Sequence, residues 1–215
     1  MTTFVSNRGK SDSSIVTLSV LVSRLILFLL FQSAIALIFN SWEASQKYWL
    51  ATATLTNIVT IILLYHLFKR DGNNYFHIFK ISKETIKKDL PVFLILTIVS
   101  AIVVFLSDFL LTTAIWGDTE APAKMMFGPI ERWLVYTLMI LFPVTIAFAE
   151  LANYFVYLMP KLEKSLKTKW LAILLPVLFL SLQHCTLPFI PDLKFILYRA
   201  LVFLPFALII GLATQ

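Results

Sequence analysis

Six long apolar runs dominate the chain, at 15–39, 49–68, 91–116, 133–159, 170–187 and 195–212, each interrupted by at most one formal charge. A bilayer core about 30 Å thick is crossed by roughly 20 apolar residues in helix, because lipid offers backbone polar groups no partner outside the helix itself. The pattern therefore predicts six transmembrane helices. Trp49, Trp116, Trp133 and Trp170 fall at the expected ends, where amphipathic rings favour the headgroup boundary. Pro143, Pro176 and Pro205 lie inside spans and predict local kinks. The connections are short, with no internal repeat or low-complexity tract. The expected fold class is all-α: a polytopic membrane helical bundle forming one domain over 1–215, with a polar cytoplasmic N-terminus at 1–13.

Composition agrees. Apolar residues make up 59% of the chain and charged residues 14%, with a mean hydropathy of +0.85. Soluble domains carry about 25% charged residues, so too little polar side chain is present to coat a water-facing surface. A soluble enzyme, a disordered regulator and a secreted disulfide scaffold are excluded, and a single cysteine cannot close an internal bridge. Ala34-Ile35-Ala36 faintly resembles a signal-peptide cleavage site. The first apolar run is longer than an h-region of about 7–15 residues and continues past that point, so the span is expected to be retained.

The net charge of +6 reads as an orientation signal. Arg8, Lys10, Lys69, Arg70, Lys80, Lys83, Lys87, Lys88, Lys161, Lys164, Lys167 and Lys169 fall on one side of an alternating six-span path, with Arg24 near the first of these. Lys47, Lys124, Arg132, Lys194 and Arg199 fall on the other. The bias places both termini in the cytoplasm, N-in and C-in, and makes a nucleic-acid partner unnecessary. Two readings stand for 71–89: an amphipathic surface helix with Phe76, Phe79 and Ile86 toward lipid, or a solvated basic loop.

Ionisable groups inside spans are costly and mark candidate sites. Arg24 and Arg199 lie within about three turns of a predicted end, close enough that both could snorkel. Asp108 is expected to pair with Arg199 or Arg132 as a structural contact, and His66 to sit at the interface. Glu150 is too short to snorkel and must be protonated, paired or in contact with a cavity. His184 lies on the next span. An antiparallel hairpin centred near Ser165 brings it to within about one helical turn of Glu150. Asn153, Tyr154 and Tyr157 continue a polar stripe from Glu150, and Ser181 precedes His184 by three. A shared interior site and a hydrogen-bonded pair tying two helices explain these stripes equally well; the pair would contribute roughly 1–2 kcal/mol.

Missing motifs narrow the chemistry. There is no His-Glu-x-x-His, no Gly-x-Ser-x-Gly elbow and no phosphate-cradling glycine loop. Gly117-Asp118 lies in a loop away from any buried aspartate pair. Three histidines and one cysteine, with Cys185 adjacent to His184 and so directed elsewhere, disfavour a metal cage. Neither metal nor cofactor is expected.

The run Glu150-Leu151-Ala152-Asn153-Tyr154-Phe155-Val156-Tyr157-Leu158-Met159-Pro160-Lys161-Leu162, with His184 on the following span, resembles the CPBP family. These are CAAX-type prenyl endopeptidases and bacteriocin-processing enzymes, intramembrane proteases of glutamate type. Their first motif is Glu-Glu-x-x-x-Arg, often followed by an aromatic, two aliphatics, Pro, a basic residue and Leu. A second motif is a His late in the next span, commonly with Phe four residues before; Leu180 stands there in this chain. A third, His or another polar residue with Asn or Asp four later, lies on a further helix. The resemblance covers 133–215, the protease-like core. It implies that Glu150 and His184 are catalytic, with Asn153, Tyr154 and Tyr157 supporting. Leu151 and Phe155 replace the second Glu and the Arg together, which leaves no orphaned charge. No third motif follows within these 215 residues, so the chain reads as a truncated member or one with an incomplete site. Gln183, Asn153 and Tyr154 are the donors available to stand in.

By this resemblance, Glu150 would deprotonate water for hydrolysis of a membrane-associated or lipid-anchored peptide, without a covalent intermediate, and His184 would position the water or the developing oxyanion. Membrane lipid and such a peptide are the expected partners, and a bacterial cytoplasmic membrane the expected location. Two rivals stand beside it. One is a catalytically silent relative acting as a bacteriocin-immunity factor or membrane scaffold. The other is a small transporter subunit using Glu150 and His184 as a proton relay.

Overall fold

The computed structural model describes residues 8–80, 84, 86–166 and 168–214, and these contain helices and no strand. The helices are α1 (Arg8–Phe39), α2 (Trp42–Gln46), α3 (Trp49–Arg70), α4 (Ile86–Trp116), α5 (Ala121–Met126), α6 (Arg132–Leu151), α7 (Met159–Ser165), α8 (Lys169–Leu182), α9 (Leu193–Val202) and α10 (Leu204–Ala213). A π-helical segment, Ala152–Leu158, joins α6 to α7 in one rod, and short 3₁₀ turns occupy Tyr75–Phe79 and Gln183–Thr186. Six helices among the described residues are long and apolar enough to cross a membrane, which makes this a multi-pass helical bundle.

Local chemistry sets the ends of these rods. α1, α3 and α4 stop where Asn40, Gly72 and Gly117 take positive φ (49°, 75° and 68°), a left-handed step that closes the last turn. Asp192 caps α9 by accepting the Phe195 N–H at 2.8 Å. Pro205 does more than kink its span. It sits in the first turn of α10, and the sixth crossing breaks at Phe203 into α9 and α10. Pro143 and Pro176 stay inside unbroken helices.

Contacts between loops show which ends lie together. Lys161 Nζ pairs with Asp71 at 2.7 Å, joining two of the basic connections. At the opposite end Trp42 Nε1 donates to Phe189 O at 3.1 Å, and Tyr48 donates its hydroxyl to Glu131. Burial, with the Glu131 carboxylate adding to it, pushes the Tyr48 phenol up. The segment after α3 is not the surface helix expected as one alternative. Its 3₁₀ turn inserts Tyr75, whose hydroxyl donates to Phe148 O, while Phe79 packs edge-on against the Phe148 ring. Phe76 remains exposed, Ile86 begins α4, and residues 81–83 and 85 lie outside the described residues.

The main apolar core lies toward the basic end. Val20 and Leu21 of α1, Leu64, Leu67 and Phe68 of α3, the π segment, and Ile173, Val177 and Leu180 of α8 pack around it. Gly211 of α10 lets that helix close onto α8, where an added Cβ would meet Val177 Cγ2 at 2.8 Å. By contrast α4 buries only Ser100 and Thr112 fully; Val104, Asp108 and Trp116 on the same helix are half-buried, and most of its apolar side chains are exposed.

Candidate functional site

Arg24 organises the interior midway along the bundle. It is 1% exposed and does not snorkel. Its α1 face carries Thr17, Arg24 and Gln32 inward, so extension toward water would drive the guanidinium through packed neighbours. Instead Nε donates to Gln183 Oε1 at 2.7 Å, Nη1 to Thr60 Oγ1 at 3.3 Å, and Nη2 to Asn57 Oδ1 at 3.0 Å and Glu150 Oε2 at 3.4 Å. Planar guanidinium suits this task because its donors diverge from one rigid fork.

Glu150, at the end of α6, is buried and paired, as a carboxylate at that depth requires. Both of its contacts fall on one oxygen. Oε2 accepts from Arg24 and, at 2.8 Å, from Gln183 Nε2, whereas Oε1 accepts from no described side chain. Tyr154 adds a donor to Gln183 Oε1 at 3.3 Å, and Asn57 Nδ2 reaches Thr145 Oγ1 at 3.2 Å. The polar cluster thus joins α1, α3, α6, the π segment and the turn after α8.

His184 sits in that turn, 8% exposed, its ring stacked on Phe203 at 3.9 Å with Nδ1 buried and unpartnered. Its backbone carbonyl accepts from Arg199 Nε at 3.1 Å, and Arg199 Nη2 donates to Leu187 O. Arg199 therefore does not snorkel either. It ties the chain beyond α8 to α9, because those turn carbonyls have lost their helical partners. Asp108 accepts from the Tyr198 hydroxyl and not from Arg199 or Arg132; the Arg199 donors go to backbone carbonyls instead.

Glu150 and His184 share a cavity of about 270 Å³. Arg24, Asn57 and Arg199 complete its polar side, and Trp49, Ala53, Val104, Phe142, Ile146, Leu187, Phe203 and Phe206 its apolar walls. The two side chains open on one space without touching, and Gln183, not His184, bonds the carboxylate. The π segment and 3₁₀ turn account for this register. A π-helix holds more residues per turn, so 150, 153, 154 and 157 no longer fall on one stripe. At its start the Ala152 N–H turns to Ala149 O, and the Phe148 carbonyl takes Tyr75 instead.

Of the supporting residues, Tyr154 reaches the cluster. Asn153 is fully buried outside the cavity with its amide unpaired. Tyr157 lies toward the basic end, beside Phe68 and under the Lys161 ammonium. Sequence reasoning missed Arg24, Asn57, Thr60 and Gln183 as one unit. The available signal was helical spacing of polar residues on two spans, Thr17/Arg24/Gln32 and Thr52/Thr56/Asn57/Thr60. Among the described residues, no group of three or more His, Cys, Asp or Glu side chains is placed to hold a metal ion. Comparison with known protein families, with curated proteins and with solved structures returns no match for this chain.

Proposed function

We propose that this protein is an intramembrane endopeptidase of glutamate type, with its basic loops on the cytoplasmic side of a bacterial cytoplasmic membrane. One observation carries the reading: the carboxylate of Glu150 is clamped through Oε2 while Oε1 is left without a partner beside the cavity that His184 also lines. In the proposed reaction Oε1 removes a proton from water as the oxygen attacks the peptide carbonyl carbon. An N–H of His184 supports the oxyanion. The C–N bond breaks as the proton held by Glu150 passes to the leaving amine. Arg24 at the cavity wall and Gln183 behind it orient the carboxylate through Oε2.

A second reading, a catalytically silent relative serving as an immunity factor or scaffold, is favoured by the Arg24–Glu150 ion pair itself, since a structural pair needs no substrate. The two are separated with purified protein in vesicles containing a library of membrane-inserting peptides, with product ends identified by mass spectrometry. The peptidase yields defined new termini, loses them on Glu150→Gln and keeps them on Asp108→Asn. A scaffold yields none and keeps its cellular effect through Glu150→Gln. Equal loss on both substitutions signals folding damage, not catalysis.

A further inference from the structure

The cavity holding Glu150 and His184 has a thick apolar backing on one side and a thin wall on the other. Toward the basic end lies the main apolar core, including Tyr154, Leu158, Leu64 and Phe68, all buried. In the opposite direction the walls are Trp49, Ala53 and Leu187, at or near helix ends on the side that bears Lys47 and Lys124. Just beyond them a second and larger cavity, about 590 Å³, lies between α2 and α5, lined in part by Glu43, Lys47, Lys124, Met125, Phe127 and Ile190.

Trp49 stands between the two. Its ring meets Phe127 of the outer cavity at 5.6 Å and Phe142 of the inner one at 6.1 Å, both edge-on. It also packs on the separate apolar clusters around Ala53 and Leu187 and around Met126 and Ile190. Phe127 is 61% exposed, so on that side the indole is backed by a loop side chain, with Leu187, Met126 and Ile190 packed around it.

We infer that the outer cavity is the entrance to the Glu150–His184 site, that Trp49 is its gate, and that the entrant is an extended peptide segment approaching from the end opposite the basic loops. Width selects the extended form. A helix with its side chains is about 10 Å across, whereas a cavity of about 270 Å³ has the volume of a sphere about 8 Å across, so it excludes an intact spanning helix and leaves room for a narrower extended segment. The outer cavity offers both charge signs beside methionines and a phenylalanine, a lining that accepts peptide backbone and mixed side chains. With the basic loops cytoplasmic, the entrance faces away from the cytoplasm.

Naming the entrant a substrate rests on the peptidase reading; the route does not, and its test needs no turnover. Single cysteines are placed in a Cys185→Ser background at Ala53 in the inner cavity, and at Glu43 and Asn73 to report the two membrane faces. A charged, membrane-impermeant thiosulfonate is then applied to each face of sealed vesicles. The expected result is that A53C reacts from the face exposing E43C and not from the face exposing N73C. Trp49→Ala should speed that reaction roughly tenfold, the factor that one or two aromatic edge contacts are worth. Phe127→Ala, an exposed loop change, should give a smaller increase and serves if the Trp49 variant fails to fold. Reaction from the N73C face, reaction only with a lipid-soluble maleimide, or rates indifferent to both substitutions would overturn the proposal. Cleavage lost on Glu150→Gln with labelling unchanged would leave the route standing.

Discussion

Replacing Arg24 by leucine removes four hydrogen bonds at once and leaves the Glu150 carboxylate with Gln183 alone. Hydrogen bonds between helices in a bilayer average about 0.6 kcal/mol each, which gives about 2.4 kcal/mol for four. Stripping one partner from a buried ion pair costs about 3–5 kcal/mol in soluble proteins. Arg24→Leu should therefore destabilise the bundle by about 2–5 kcal/mol. The double change Arg24→Leu/Glu150→Leu removes the stranded charge and should recover about 2 kcal/mol of that loss. Unfolding by sodium dodecyl sulfate in mixed micelles, followed through tryptophan fluorescence, reads both quantities. Glu150→Leu alone completes the cycle. If the three variants combine additively within about 0.5 kcal/mol, the two groups are not energetically coupled and Arg24 does not hold the Glu150 carboxylate.

Two further outcomes test the surrounding architecture. Gly211→Ala would bring its Cβ to 2.8 Å from Val177 Cγ2, and valine in a helix is held to one rotamer. Despite the better helix propensity of alanine, the same titration should show a loss of about 1–3 kcal/mol; unchanged stability would contradict the close approach of α10 to α8. Burial pushes the Tyr75 phenol from 10.0 up to about 12. Unfolded chains then ionise first, so stability is intact below pH 10 and declines as pH rises through about 12. Tyr75→Phe should flatten that decline in stability measured across the interval, and an unaltered slope would remove Tyr75 from its cause.

The spans were legible because lipid imposes length and apolarity so strongly that each run could be little else. Glu150 and His184 were legible because ionisable groups at depth are few. Arg24 and Arg199 were misread for a physical reason: distance from a helix end says that snorkelling is within reach, not which way the side chain faces. Direction is set by neighbours. For Arg24 these are Asn57, Thr60 and Gln183, whose approach depends on how α1, α3 and α8 pack. The π segment left no mark in hydropathy, yet it moves Asn153 and Tyr157 off the stripe that an α-helix would give them. Similarly, the 3₁₀ turn at 183–186 brings Gln183 to the carboxylate that helical counting assigned to His184.

The reading depends most on Glu150 and His184 acting on one bond as one unit, and residues that do so are strongly non-additive when removed. Rates of peptide cleavage in vesicles should be measured for Glu150→Gln, His184→Ala and the pair together, with folding checked by the unfolding titration. The account predicts losses of roughly 10³-fold for each single variant and no greater loss for the double. Wild-type cleavage in either single variant, or losses that multiply in the double, would contradict it.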